Sequence, residues 1–253
     1  MIKKTNKNKC CNVGYIKTFN TLIEGNFNSL AYQSAIEICN LNKPTKINPL
    51  VILGNSGTGK SHIAKAVKNN IKTKFPDKLG IYITSAEFNY QMVNAIRINK
   101  KDDFGYLYKL FEVFIIEDVQ DFSFKNESQK ILESILDYHI YMNNRILITS
   151  NIEITESNGF NVRLVSIINK GVTALLENPG FDDRMNILNL KTIDNRISYD
   201  ILKFIASKSE LNIGEMEGLL TTIIAKSFFL KKDIDLQMAA DTFCVFKSKI
   251  DSI

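Results

Sequence analysis

The sequence of 253 residues has no long apolar segment. Its apolar runs, such as 114–116 and 146–148, are far shorter than the ~20 residues that a membrane-spanning helix needs. The basic N-terminus is not followed by the apolar region of a signal peptide, so we expect a cytoplasmic protein without membrane contact. Hydrophobic and charged fractions of 45% and 23% exclude a wholly disordered or collagen-like chain.

Cysteine and histidine are scarce. The four cysteines lie at positions 10, 11, 39 and 244 without CxxC spacing, and the adjacent pair at 10 and 11 has poor geometry for a disulfide. Free thiols in a reducing cytoplasm are therefore expected. The two histidines, His62 and His139, are too few for a histidine-rich metal site.

The positive charge is concentrated at one end of the chain. Of the formal net charge of +5, residues 1–14 contribute four lysines and no acidic residue, which leaves only +1 for the rest. The body is therefore not a basic nucleic-acid binder on charge alone. The Lys- and Asn-rich segment 1–14 is predicted to be a disordered tail, either a solvated end or a contact to phosphate.

The remaining chain alternates short apolar segments with longer amphipathic ones. The apolar segments are rich in Ile, Val, Leu and Phe, as in the strands of a buried parallel sheet. The predicted strands are Leu50–Leu53, Gly80–Thr84, Val113–Ile116, Ile146–Thr149 and Val172–Leu176, with helices at 60–72, 86–97 and 126–141 between them. This order indicates an α/β domain over residues 15–181, with right-handed crossovers.

The pattern changes after Pro179, where helices and no strand are predicted. The four helices are Phe181–Leu188, Tyr199–Lys208, Ile213–Phe229 and Asp235–Lys249. Ser198 is the predicted N-cap of the second, and Asp233 or Asp235 that of the last. Residues 182–253 are therefore interpreted as a small helical subdomain.

One glycine-rich segment follows the first predicted strand and opens a predicted helix. It matches G-x-x-x-x-G-K-[ST] in full, in the context that a phosphate-binding P-loop requires. Its glycines allow backbone N–H groups to surround phosphate oxygens, and the helix N-terminus faces the same anion. Lys60 would contact the β- and γ-phosphates of ATP, and the Ser61 hydroxyl would bind Mg²⁺. The predicted phosphate-binding residues are Gly54, Asn55, Ser56, Gly57, Thr58, Gly59, Lys60 and Ser61.

Polar residues also end two other predicted strands. Glu117 and Asp118 follow the run 113–116. One acid would hold Mg²⁺, directly or through water, and the other would polarise the attacking water. Asn151, after the strand 146–149, is suited to sense the γ-phosphate and orient that water. The predicted catalytic residues are Glu117, Asp118 and Asn151, and the predicted Mg²⁺ ligands are Ser61 and Glu117.

With these elements placed, the sequence resembles the bacterial chromosomal replication initiator family, DnaA, within the AAA+ ATPases. The resemblance runs from about residue 18 to about residue 243 and rests on several separate segments. They are an N-terminal box at 18–28, the P-loop with His62 after it, a helical insertion that opens at 85–88, the segment 115–120 with 125–129 beyond it, and a lid motif at 215–218.

The resemblance implies a fold, a cofactor and further contacts. The fold is an αβα sandwich with a five-stranded parallel sheet of order 5-1-4-3-2 and a helical lid. The cofactors are ATP or ADP with Mg²⁺, in a bacterial cytoplasm. Because the backbone of the N-terminal box holds adenine in the family, Leu22, Ile23 and His62 are implied as further nucleotide contacts.

The sequence departs from the family pattern at functional positions. Glu117 stands where the family has Asp, and Asn151 where it usually has Asp. Gly214 replaces the lid arginine that senses nucleotide, and Ile167 stands at the arginine-finger position, although Arg163 earlier in that segment is retained. Because an arginine finger contributes about 10³–10⁵ in rate, weak hydrolysis is predicted. Arg163 is the predicted contact to a neighbouring subunit.

The implied DNA contacts are incomplete. Lys125 matches a basic position of the family and is a candidate contact to single-stranded DNA, but Glu127 replaces the basic residue two places further on. No basic recognition helix follows residue 243, so a sequence-specific duplex-binding module is not expected here. Hda-type regulators share this short organisation, but they act through an arginine finger.

A cluster of aromatic residues precedes the third strand, at 104, 106, 108 and 111, with lysines at 100, 101 and 109. Such a mixture is either a stacking platform for single strands or, more commonly, core packing behind a sheet beside a solvated face.

Three functions remain open. The first is a nucleotide-regulated replication factor that assembles with a full-length initiator or with itself. The second is a largely non-catalytic interaction module in which ATP or ADP is a structural ligand. The third, ranked lowest because the N-terminal segment contains no recognisable zinc-binding or helicase-docking module, is an ATPase that loads a helicase.

Overall fold

A five-stranded parallel sheet lies at the centre of the computed structural model, which describes residues 16–192 and 197–251. The strands are β1 Leu50–Gly54, β2 Gly80–Thr84, β3 Val113–Glu117, β4 Arg145–Ser150 and β5 Val172–Leu176. They are arranged in the order β2-β3-β4-β1-β5, which is the predicted order 5-1-4-3-2 read from the opposite edge. The predicted fold class is therefore confirmed. The predicted tail 1–14, with Cys10 and Cys11, lies outside the described residues.

Helices cover both faces of the sheet. The helices are α1 Ser29–Ile38, α2 Lys60–Lys74, α3 Ser85–Arg97, α4 Lys101–Lys109, α5 Asn126–Tyr141, α6 Val162–Ile168, α7 Phe181–Lys191, α8 Tyr199–Ala206, α9 Ile213–Leu230 and α10 Leu236–Ile250. One face, with Ile52 and Ile115, packs against α1 and α2. The other face, with Phe114 and Ile116, packs against α3 to α6. Both faces of β3 are buried, which explains why its sequence is apolar without alternation.

The predicted strands agree with the observed ones to within one residue at each end. The largest difference is in β4, which begins at Arg145, a charged residue that the apolar pattern left out of the predicted strand. Its guanidinium is buried and donates hydrogen bonds to the backbone carbonyls of Asn40, Lys43 and Asn143. Because carbonyl oxygens accept hydrogen bonds from both Nη1 and Nη2, this arginine is tolerated inside the sheet domain, although its Nε has no partner.

The helices α7 to α10 enclose an apolar core of their own. We call this unit of four helices the lid. Asn212 accepts a hydrogen bond from the N–H of Glu215 at 2.9 Å, and the Glu215 carboxylate accepts one from the N–H of Asn212 at 2.8 Å, so a capping box begins α9. Asp235, one of the two predicted caps, accepts from the N–H of Met238 at 2.7 Å and begins α10. Ser198 precedes α8 without a capping bond from its side chain. The proposed division at residues 181 and 182 falls in the first turn of α7.

Two simple properties of the chain follow from the described ranges. No helix in them is long and apolar enough to cross a bilayer. Cys39 and Cys244 are both free thiols, and burial raises the pKa of the Cys39 thiol to about 12.

Candidate functional site

The P-loop leaves β1 and wraps around its own lysine. Lys60, the first residue of α2, donates hydrogen bonds from Nζ to the carbonyls of Gly54 at 2.6 Å and Asn55 at 2.8 Å. Gly57 and Gly59 have φ angles of +77° and +105°, which L side chains rarely adopt. Burial lowers the pKa of Lys60, and the carboxylates of Asp118 and Glu117 oppose that shift. The lysine is therefore held by carbonyl oxygens of its own loop.

Glu117 ends β3 as a buried carboxylate with one oxygen in use. Its side chain is only 3% exposed, and Oε2 accepts a hydrogen bond from the hydroxyl of Tyr82 in β2. Burial, followed by the hydrogen bond to Glu117, raises the pKa of Tyr82, so the phenol stays protonated and is the donor. Oε1 of Glu117 is buried without a protein partner. An unpartnered buried carboxylate oxygen needs a cation or a water, which fits the predicted Mg²⁺ ligand.

Asp118 is connected to Asn151 through a third side chain. Asp118 lies at a φ of +60°, and its N–H donates to Thr149 Oγ1 at 3.1 Å. Gln120 donates from Nε2 to Asp118 Oδ1 at 3.2 Å and accepts at Oε1 from the N–H of Asn151 at 3.2 Å. The two predicted catalytic segments are thus brought together at one edge of the sheet, and Gln120 fixes their spacing.

A pocket lies between the N-terminal box, the P-loop and the lid. Leu22 and Ile23 line it with His62 and Gly59 on one side, while Ile187, Leu190 and Ile213 line it from the lid. His62 Nε2 lies 3.1 Å from both the carbonyl oxygen of Thr18 and Oγ1 of Thr21. Burial lowers the pKa of His62 to about 4, so the ring is neutral near pH 7. His62 therefore ties the turn that precedes Leu22 to the first turn of α2.

The lid contacts the P-loop directly. The N–H of Gly214 in α9 donates to the carbonyl of Gly57 at 3.3 Å. A Cβ on Gly57 would lie only 2.2 Å from Oδ1 of Asn212, so this approach requires glycine. An ion pair of 3.1 Å between Lys191 and Glu217 lies at the lid side of the pocket.

Three of the described arginines make contacts within this chain. Arg145 and Arg184 are buried, and their guanidinium groups donate to backbone carbonyls. Ile167, at the predicted finger position, is 2% exposed and packs in the core. Arg163 is exposed on α6, and its Nη2 donates to Asp137 of α5 at 2.6 Å.

The predicted DNA contact Lys125 lies in a surface region of mixed charge. Glu127, two residues further on, forms ion pairs with Lys101 at 2.7 Å and with Lys130 at 3.4 Å.

The residues of the aromatic cluster differ in burial, which bears on the choice between a stacking platform and core packing. Phe104 and Tyr108 are buried in the core against α3, whereas Tyr106 is 67% exposed. Core packing is therefore the correct interpretation for Phe104 and Tyr108.

Sequence reasoning missed the residues that position the predicted ones. The hydroxyl of Tyr82 and that of Thr149 come from neighbouring strands, and the carbonyl of Gly57 is contacted from the lid. A Gln after the paired acids was visible in the sequence, but its two partners were not.

Within the described residues, no group of three or more His, Cys, Asp or Glu side chains could hold a metal ion. A Mg²⁺ ion here would need phosphate oxygens and water to complete its ligand shell.

Comparison with known proteins agrees with this geometry. The family model of the bacterial DnaA ATPase domain matches residues 14–175. The chromosomal replication initiator protein DnaA of Flavobacterium psychrophilum is 31% identical over 224 residues, which cover 88% of this chain and 47% of that protein. The chain thus spans about half the length of this curated relative.

Solved structures give the same result. Domain III of the Thermotoga maritima replication initiation protein DnaA matches with a TM-score of 0.85 and 28% identity, over 91% of this chain and 96% of that one. The replication initiator DnaA bound to AMPPCP and single-stranded DNA matches with a TM-score of 0.75 and 25% identity, over 83% and 65%. The DnaC helicase loader, at a TM-score of 0.53 and 15% identity over 64% and 98%, shares the fold alone. The chain belongs to the bacterial DnaA ATPase-domain family.

Proposed function

We propose that this chain is an ATP-binding assembly subunit that acts in the initiation of DNA replication, or in its regulation, in the bacterial cytoplasm. The observation that carries the proposal is a glycine-rich loop that holds Lys60 by its own carbonyls, next to a pocket lined by Gly59, His62 and residues of the lid. A related initiator binds AMPPCP, which supports adenine nucleotide as the ligand of this pocket.

The roles of the residues follow from their positions. The N–H groups of residues 54–61 would surround the phosphates, with Lys60 on the β- and γ-phosphates, while Leu22 and Ile23 would contact adenine and His62 would hold their segment in place. Ser61 and the free oxygen of Glu117 would hold Mg²⁺, which would neutralise phosphate charge. Asp118 and Asn151 would orient and polarise the attacking water.

We propose that hydrolysis is weak. Gly214 offers only a backbone N–H where the family has an arginine, and the buried Ile167 offers no charge to a neighbour. A positive charge on the γ-phosphate in the transition state contributes about 10³–10⁵ in rate, so its loss slows turnover without preventing binding.

Assembly with a full-length initiator or with a second copy would use α6. Arg163 is already oriented by Asp137, so a partner's acidic side chain would compete with that pair rather than meet an unpaired charge. Single-stranded DNA is a further proposed partner, since a related initiator binds it, and Lys125 is the proposed contact.

A single-turnover assay with labelled ATP tests the proposal, because it reports bound nucleotide and the hydrolysed fraction together. Tight binding, a low hydrolysed fraction and loss of both in Lys60→Ala are expected. A high rate that rises steeply with protein concentration and disappears in Lys60→Ala would contradict weak hydrolysis. No binding by the unaltered protein would contradict the proposal as a whole.

One observation favours the alternative of a largely non-catalytic interaction module. The hydrogen bond from Gly214 to Gly57 connects the lid to the P-loop without involving an arginine. In that case ATP and ADP would bind with the same affinity and have the same effect on assembly. A ligand with equal affinity for two conformational states does not shift the equilibrium between them. Different effects of ATP and ADP on assembly would favour the nucleotide-regulated replication factor. Co-purification with a replicative helicase would instead support the loader alternative.

A further inference from the structure

The hydrogen bond between Tyr82 and Glu117 joins two strands at the edge of the nucleotide site. We infer that Tyr82 is a positioning residue, which holds the Glu117 carboxylate so that its second oxygen faces the Mg²⁺ of a bound nucleotide. This inference rests on the proposed function, because it concerns the metal that would accompany ATP.

The strand register explains how the two side chains meet. Tyr82 of β2 pairs with Ile115 of β3, and Glu117 lies two residues further along β3. Residues two apart point to the same face of a sheet, so Tyr82 and Glu117 are diagonal neighbours on the face covered by α2. A tyrosine is long enough to cover that diagonal and bring its hydroxyl to the carboxylate.

The two oxygens of Glu117 have different environments. Oε2 receives the Tyr82 hydroxyl, whereas Oε1 is buried and has no protein partner. A glutamate has a longer side chain than the aspartate of the family pattern and therefore more rotamers to restrict. Fixing one oxygen from the side leaves only the other oxygen available for a cation.

The ring of Tyr82 is itself held in place by α2. The Nζ atoms of Lys65 and Lys68 lie 5.5 Å and 5.2 Å from the centre of the ring. The same helix begins with Lys60 and the predicted Mg²⁺ ligand Ser61. One rigid element therefore sets the position of both the P-loop residues and the ring that positions Glu117.

The test is equilibrium binding of a fluorescent ATP analogue to Tyr82→Phe, which keeps the ring and removes only the hydroxyl. Each titration is done in excess EDTA and again over a series of Mg²⁺ concentrations. We expect unchanged affinity in EDTA and a Mg²⁺ requirement raised by about 10–100-fold, the usual effect of losing a partner that orients a metal ligand.

Two further variants make the result specific. Tyr108→Phe is the matched control, because Tyr108 is a buried tyrosine whose hydroxyl donates to Gln91 at 2.7 Å, on the opposite face of the sheet. It should leave the Mg²⁺ requirement unchanged. In a Glu117→Gln background, Tyr82→Phe should add nothing, because its effect passes through the carboxylate.

The other outcomes overturn the inference. An unchanged or lowered Mg²⁺ requirement in Tyr82→Phe would show that the hydroxyl does not hold Glu117 towards the metal. Equal losses with and without Mg²⁺ would show a packing role only. If the unaltered protein binds the analogue in EDTA and Mg²⁺ has no effect, the metal role of Glu117 is wrong while nucleotide binding stands. If it binds no analogue at all, the proposed function fails and the inference with it.

Discussion

The backbone N–H of Gly214 donates a hydrogen bond of 3.3 Å to the carbonyl oxygen of Gly57. Gly214 lies in the first turn of α9, where N–H groups have no acceptor within the helix. The P-loop supplies that acceptor. The lid and the glycine-rich loop are therefore connected through backbone atoms.

Gly57→Ala should separate the lid from the P-loop. The new Cβ would lie 2.2 Å from Asn212 Oδ1, and the φ of +77° is strained for alanine. We expect faster amide hydrogen exchange in the first turn of α9. Gly59→Ala is the matched control, because Gly59 also has a positive φ, +105°, but a Cβ added there would have nothing within 4 Å. Equal exchange in the two variants would mean that the lid does not depend on Gly57.

Gly214→Arg should increase the hydrolysis rate. A Cβ on Gly214 would lie 3.3 Å from Asn212 Oδ1 and 3.8 Å from Gly57 Cα, so a side chain fits after a small adjustment. A guanidinium there could reach the γ-phosphate, and a hydrogen bond with a charged partner of about 1.5–3 kcal/mol corresponds to about tenfold or more in rate. Gly214→Ala is the control for the backbone change. A rate in Gly214→Arg no higher than in Gly214→Ala would contradict the prediction.

The stability of the fold should fall as the pH decreases from 6.5 to about 4. Burial lowers the pKa of both His62 and His139 from 6.5 to about 4. In that window the unfolded chain binds a proton on each ring while the folded chain does not, so protonation favours unfolding. The check is the denaturant midpoint measured at several pH values. His62→Asn should flatten the dependence in part, and an unchanged slope would show that His62 titrates normally.

Glu127→Gln should strengthen binding to single-stranded DNA. The substitution releases Lys101 and Lys130 from their ion pairs with Glu127 and leaves them available for phosphate near Lys125. Affinity for labelled oligo-dT should rise, with a steeper dependence on salt concentration. Lys125→Ala should lower it. Tyr106→Ala tests the one exposed residue of the aromatic cluster, and if it weakens binding, stacking contributes as well. If none of the three variants changes the affinity, DNA binds elsewhere or not at all.

Much of the candidate site could be located in the sequence because its signals are local. A P-loop needs glycines, a lysine and a hydroxyl within eight consecutive residues, and the strand before it is apolar because it is buried on both faces. The order of the sheet came from the resemblance to a family. The start of β4 at Arg145 was missed, because two of the backbone carbonyls that accept hydrogen bonds from its guanidinium come from about 100 residues away in the sequence.

The amino-acid sequence by itself determined the α/β pattern, the glycine-rich segment between the first strand and its helix, and the acids that end β3, because each depends on residues close together in the chain. Only the tertiary structure decided which groups hold those residues in place. The Tyr82 hydroxyl reaches Glu117 across a strand pair, Gln120 links two strand ends, and the lid meets Gly57 across more than 150 residues of sequence. Such contacts depend on strand register and on how the helices pack, which neither composition nor periodicity specifies.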